Sequence, residues 1–255
     1  MAQYNDHVLV IFDLISTLTN AGPRYIRAFQ AVCEKNGISP LPNEEDLIAM
    51  LGNKNLSEIT DQFAGSLEKS KKVSFMDSCN QECDAILNRA DWHETLYPHV
   101  REAAEALHQR GITLGIFTGT REDAMENQIA YHGIADMFET RYRRGKDNAR
   151  DAGKTSDFLK TEQLSAIVAQ FKQDAGNENV VVIVVGDSTA DAKAAANLGL
   201  SFVGFAENEC KKGHLERAGV KIIINYLSDL TDIVDRLHPP SNPTITPHSS
   251  PPPKP

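Results

Sequence analysis

No apolar run in this 255-residue chain is long enough to cross a bilayer. No basic segment leads into an apolar stretch near the amino terminus, so no secretory signal is expected and the expected location is cytoplasmic. An excess of positive charge is missing as well: the formal net charge is -9. That balance argues against nucleic acid as a partner, because gripping its backbone depends on neutralising phosphates with Lys and Arg. It does not argue against a small phosphate ester, which a few local cations can hold inside an acidic protein. Cysteine is scarce, with only Cys33, Cys79, Cys83 and Cys210. Cys79 and Cys83 are one helical turn apart, but no further ligands lie at metal-binding spacing. Buried or idle thiols in a reducing compartment are the expectation. Seven of the eight histidines, His7, His93, His99, His108, His132, His214 and His238, show no metal spacing either. There is no internal repeat, and nothing in the sequence sets the oligomeric state.

What is present is a succession of α/β signals. Hydrophobic residues make up 41% of the chain, enough for a core, and the length suits one large domain or one domain with a smaller insert. Val180 to Val185 are six apolar residues in a row, a strand buried on both faces and therefore part of a parallel sheet covered by helices. It runs directly into Gly186-Asp187-Ser188-Thr189-Ala190-Asp191. Carboxylates at the carboxyl end of such a strand sit where open α/β sheets bind ligands. Two of them, four residues apart, suit a hard cation such as Mg2+. The other reading of an Asp pair at a helix start is capping and dipole complementation.

Val8 to Phe12 form a second buried-strand run, ending at Asp13. Pro23 opens a helical pattern carrying Tyr25, Phe29 and Val32 on one face, with Gly37 as its stop. Residues 40–92 are mostly helical in character. Helix, strand and helix follow over 100–111, 112–117 and 121–132, and the strand ends at Thr118-Gly119-Thr120. Residues 140–156 read as a long polar loop, with Arg141, Arg143, Arg144 and Lys146 as a solvated basic run. A helix over 157–173 precedes the strand at 180–185. Ala192, Ala195 and Ala196 give the next helix a small-residue face, and two short strands and a last helix near 227–237 close the pattern. Trp92 and Tyr97 fall where the chain returns from the helical region to the α/β pattern, and packing is their expected role. Eight of the twelve prolines fall within 239–255, among Ser and Thr, so a disordered tail is expected there.

The fold class expected is therefore α/β: a doubly wound, Rossmann-like parallel sheet with an inserted helical cap. Residues 1–19 and 93–238 are assigned to the core, 20–92 to the cap and 239–255 to the tail. In such a sheet Asp13, Thr118, Lys154 and the Asp187/Asp191 pair converge on one edge. The chemistry they can share is phosphoryl transfer: a carboxylate nucleophile, a cation held by further carboxylates, and a hydroxyl, backbone N–H groups and a Lys on the phosphoryl oxygens.

This order resembles the haloacid dehalogenase-like hydrolase superfamily across roughly residues 8–237, in its phosphoglycolate phosphatase-like branch with a type-1 helical cap. Phe12-Asp13-Leu14-Ile15-Ser16-Thr17-Leu18 matches the first motif, Phe117-Thr118-Gly119 the second and Gly186 through Ala196 the fourth. For the third-motif Lys the best match is Lys154, in Gly153-Lys154-Thr155, with Lys146 a weaker competitor. The resemblance implies Asp13 as nucleophile and metal ligand. It implies the Ile15 backbone carbonyl, Asp187 and Asp191 as further ligands of Mg2+, and Thr118, Gly119 and Lys154 as holders of the phosphoryl group. The implied substrate is a small phosphorylated metabolite, chosen by the cap.

One position departs from the pattern. Ile15 stands where phosphatases of the family carry a second Asp, which protonates the leaving oxygen and then activates water. Such general acid–base help is worth ~10²–10⁴ in rate. Metal and phosphate binding should survive the change while turnover slows. Ser16 replaces a usual Gly, a milder change. Two alternatives follow: a phosphonoacetaldehyde hydrolase-like enzyme, with Lys54 as the cap lysine, and a non-catalytic protein that binds Mg2+ and a phosphorylated ligand. Haloacid dehalogenation needs no metal and fits the acidic site less well.

Overall fold

The computed structural model describes residues 7–39, 47, 59–61, 68–89, 91–147, 149–151 and 153–239. In chain order the elements are β1 (Val8–Asp13), β2 (Thr19–Asn20), α1 (Gly22–Lys35), α2 (Lys69–Leu87), β3 (Thr95–Leu96), α3 (Val100–Gln109), β4 (Thr113–Arg121) and α4 (Glu122–Tyr131). They continue as β5 (Arg143–Lys146), α5 (Ser156–Ala175), β6 (Val181–Gly186), α6 (Thr189–Asn197), β7 (Ser201–Phe205), α7 (Glu209–Arg217), β8 (Ile223–Ile224) and α8 (Leu230–Leu237).

Six strands form a parallel sheet in the order β5-β4-β1-β6-β7-β8. The apolar runs explain the centre of it. All six residues of β1 are buried, and they alternate between two clusters. Val8, Val10 and Phe12 join one cluster with Leu107 of α3, Met125 and Ile129 of α4 and Ile233 of α8. Leu9 and Ile11 join the other with Leu164, Ile167 and Phe171 of α5 and Ala194 and Ala195 of α6. This two-sided burial is what a doubly wound sheet requires of its central strands. The chain moves outward from β1 to β4 and β5, then returns to β6 on the other side of β1. The carboxyl end of β1 thus lies where the strand order reverses, a usual place for a ligand.

Between β2 and β3 the chain leaves the sheet. There α1 and α2 pack on each other around Phe29, Val32, Cys33, Phe75 and Cys79, an apolar cluster separate from the two that flank the sheet. The two connections pair antiparallel, Thr19 with Leu96 and Asn20 with Thr95. A buried polar knot ties them. Glu94 accepts from Thr19 Oγ1 at 2.6 Å and stands 2.9 Å from Arg24 Nε, its main-chain N–H donates to Gln128 Oε1, and its carbonyl accepts from His132 Nε2 at 2.6 Å. The Trp92 carbonyl accepts from Gln128 Nε2, while Tyr97 packs edge-on against Phe205.

The polar stretch expected as a loop over 140–156 instead contains the edge strand β5. Its basic run is not simply solvated. Arg143 is buried, and its guanidinium donates to the carbonyls of Ala135 and Phe138 and to Glu126. Gly145 is needed because a Cβ there would strike the Glu122 backbone. The helix α7 buries only Leu215 and so carries little apolar periodicity, which is why no helix is expected there from the sequence, although Asn208 and Glu209 mark its start. Lys54 and nearly all of the proline-rich tail lie outside the described residues.

Candidate active site

Asp13 ends β1, Asp187 follows β6, and Asp191 sits in the first turn of α6. The helix start is built by a capping box: the Ser188 hydroxyl accepts from Asp191 N, and Asp191 Oδ2 accepts from Ser188 N at 2.9 Å. The helix cap and the carboxylate cluster therefore share one residue, Asp191. Gly186 permits the approach, because a Cβ there would come within 2.7 Å of the Asp191 side chain. The three carboxylates each bring an oxygen within 4.8 Å of the others.

Each carboxylate is differently committed. Asp191 uses both oxygens, Oδ1 toward Lys160 Nζ at 2.5 Å and Oδ2 toward Ser188. Asp13 Oδ1 accepts from Lys160 Nζ at 3.2 Å, whereas its Oδ2 has no donor among the described residues. Asp187 Oδ2 pairs with Lys211 Nζ at 2.9 Å, and its Oδ1 receives only a long 3.4 Å contact from Thr17 Oγ1. The open oxygens are thus Asp13 Oδ2 and Asp187 Oδ1, while both oxygens of Asp191 are taken, one of them by Lys160.

The electrostatics fit a charged site with an unmet need for positive charge. Burial pushes the Asp13 carboxyl well above the ordinary carboxylate range, opposed by Lys160 and reinforced by Asp191 and Asp187. Burial likewise raises Asp187 to about 6, against the pull of Lys211. Burial alone would lower Lys160, but Asp13 and Asp191 reverse that and hold its ammonium above the usual lysine range. Lys211 is raised in the same way, chiefly by Asp187. Lys160 and Lys211 face Asp13, Asp187, Asp191 and, through Lys211, Glu207, so formal carboxylate charge outnumbers ammonium charge by two, which one divalent cation would offset.

Thr118 is buried near the end of β4, beside the Asp13–Phe117 pair that closes the ladder between β1 and β4. Its Oγ1 accepts from Thr120 N at 3.2 Å, which leaves the hydroxyl hydrogen free to donate elsewhere. Gly119 is exposed, and a Cβ on it would meet no atom within 4 Å.

The lysine expected at Lys154 is elsewhere. Lys154 Nζ bonds Asp151 at 3.0 Å and Glu162 at 2.5 Å. The lysine on the carboxylates is Lys160, in the second turn of α5, and it is 7% exposed. Sequence reasoning missed it, although a signal existed: Lys160, Leu164, Ile167 and Phe171 share one helical stripe, so this lysine heads a buried apolar face. Lys211 was missed as well; Asn208, whose side chain accepts from Lys211 N at 2.9 Å, caps α7 and sets its position. Lys146 lies on β5, in register with Arg121.

Ile15 is half-buried and packs against the apolar cluster that holds β1 and α3. It makes an isolated bridge with Thr19 in the tight turn after β1. Ser16 takes a left-handed conformation there, with φ 64°, which for a residue other than Gly costs about 1–2 kcal/mol. The bond from Ser16 N to the Thr19 carbonyl, at 2.7 Å, holds it in place.

Comparison with known proteins bears on family and fold. The family model described as haloacid dehalogenase-like hydrolase matches residues 10–205. The phosphoglycolate phosphatase of Vibrio vulnificus (strain YJ016) is 23% identical over 235 residues, covering 89% of this chain and 95% of that protein. A solved structure described as a predicted phosphoglycolate phosphatase from Haemophilus somnus 129PT superposes with a TM-score of 0.60 at 21% identity, covering 89% of this chain and 98% of that one. A HAD family hydrolase from Deinococcus radiodurans R1, solved with bound phosphate and sodium, gives 0.59 at 14% identity and covers 92% and 97%. The two structures share the fold, and the family match runs from within β1, through Asp13, to beyond the Asp187/Asp191 pair. The chain belongs to the haloacid dehalogenase-like hydrolases.

Proposed function

We propose that this protein hydrolyses a small phosphorylated metabolite with Mg2+, through a phosphoryl group carried transiently on Asp13. The observation that carries the proposal is the junction of Asp13, Asp187 and Asp191 with Lys160 at the carboxyl ends of β1 and β6. Asp13 Oδ2, with no donor among the described residues, is the attacking oxygen. Lys160 holds Asp13 by its other oxygen and supplies positive charge to the phosphoryl oxygens, the task earlier expected of Lys154. The Thr118 hydroxyl and the Gly119 N–H complete the phosphoryl cradle. Asp13 through Oδ1, the oxygen it shares with Lys160, and Asp187, with the Ile15 carbonyl, would hold Mg2+, and Asp191 would act through Lys160 or a bound water. When bound, the ion lessens the repulsion between the anionic nucleophile and the anionic substrate.

Ile15 offers no proton. A leaving group that needs little protonation, such as an acyl phosphate, suits this site best, and ordinary esters should turn over slowly. The same half-buried Ile15 is the observation favouring a second reading, a protein that binds Mg2+ and a phosphorylated ligand without hydrolysing it. Phosphate release from phosphoglycolate, other esters, acyl phosphates and phosphonoacetaldehyde, with Mg2+ and with EDTA, separates these readings. Mg2+-dependent release that vanishes in Asp13→Asn supports the proposal. Undiminished turnover in that variant would sink it.

A further inference from the structure

Gln163 lies one turn beyond Lys160 on the inner face of α5 and is 4% exposed. A neutral amide in that place needs a reason, because its neighbours Leu164 and Ile167 fill the sheet-facing stripe with apolar atoms. Its Nε2 donates to the Thr118 carbonyl at 2.9 Å. Its Oε1 has no partner among the described residues. The single bond it makes is therefore to the peptide between Thr118 and Gly119.

In a trans peptide the C=O and the following N–H point in opposite directions. With the Thr118 oxygen tied to α5, the Gly119 N–H must point away from α5. It also lies outside both strand ladders. Pairing with β1 ends at Asp13–Phe117, and pairing with β5 lapses between Phe117 and Arg121. Gly at 119 makes this anchoring necessary, since Gly accepts φ of either sign and an unanchored peptide there could turn over. The next N–H, of Thr120, is drawn onto Thr118 Oγ1, which aims the hydroxyl hydrogen away from that side.

We propose that Gln163 is a positioning residue for phosphoryl binding: it fixes the Thr118–Gly119 peptide so that the Gly119 N–H faces the phosphoryl oxygens. The inference rests on the phosphoryl-site reading of Thr118 and Gly119 given above. One face of α5 then serves both halves of the site, with Lys160 on the carboxylates and Gln163 on the backbone of the phosphate cradle.

The test is inorganic phosphate binding by calorimetry, in Mg2+, for the unmodified protein, Gln163→Met and Gln163→Asn. Met keeps the volume without the donor; Asn keeps the amide but withdraws it by one methylene. Both variants should bind phosphate about tenfold more weakly or worse, while Mg2+ affinity without phosphate stays within about twofold. The Gly119 amide proton should shift on phosphate addition in the unmodified protein and shift less in the variants. Lower melting temperatures with unchanged phosphate affinity and an unchanged Gly119 shift would mean a merely structural role and overturn the inference alone. No phosphate binding by the unmodified protein would overturn the phosphoryl-site reading, and the inference with it.

Discussion

Lys160 and Lys154 offer a sharp contrast, because each bonds two carboxylates and only the burial differs. The Lys160 side chain is 9% exposed, between Asp13 at 3% and Asp191 at 0%. Lys160→Met leaves two buried carboxylates facing each other without their shared counter-charge. Removing one partner from such a buried arrangement costs about 3–5 kcal/mol. The Lys154 side chain is 23% exposed, its partner Glu162 is 46% exposed, and its other partner Asp151 keeps Arg150. Lys154→Met should therefore change stability little, as for an exposed ion pair. Urea unfolding at neutral pH in EDTA, followed by circular dichroism and by the fluorescence of Trp92, measures both. The midpoint should fall clearly in Lys160→Met and barely in Lys154→Met. Phosphate release should drop by about 10²–10³ in the first variant, the scale of losing one charge-stabilising donor, and stay near its starting value in the second. Equal stability losses, or a larger one in Lys154→Met, would refute the assignment of the buried role to Lys160.

Ile15→Asp should raise phosphate release from simple esters, with ~10²–10⁴ as the ceiling set by general acid–base catalysis. Ile15 also packs on the core, so the variant should be less stable; no gain in rate with the fold intact would show that more than one group is missing. His132 gives a pH dependence. Burial holds its pKa below the ordinary 6.5, although its bond to the Glu94 carbonyl pulls the other way. The unfolded chain then takes up a proton that the folded one resists, so stability is full above 6.5 and is lost as pH falls through that value. The melting temperature should fall less between about pH 7.5 and about pH 5.5 in His132→Gln than in the parent, and equal slopes would refute this.

The parts of the fold legible in the sequence are those that bury apolar area with a clear period. The runs at Val8–Asp13 and Val181–Gly186 state their own two-sided burial, and the Asp residues at their ends needed only the sheet to bring them together. β5 was illegible because Arg-Arg-Gly-Lys has no alternation of apolar residues, and what pins Arg143 is a set of carbonyls supplied by distant chain. Lys160 was illegible for a related reason. A lysine in a Gly-flanked loop looks more available than one inside a helix, yet the helix is what carries its ammonium to Asp13. Gln163 could not have been found from spacing, since its partner is a main-chain oxygen.

β5 has a consequence for the molecule as a whole. The sheet ends on one side in four residues, three of them cationic, and on the other in the two residues of β8. An open strand edge invites a second chain to add to it, and short or cationic edges are the ways proteins refuse that invitation. Two molecules meeting β5 to β5 would bring like charges together before any main-chain bond could form. Arg143 takes no part in this, being turned inward onto Glu126, so the edge's charge is that of Arg144 and Lys146.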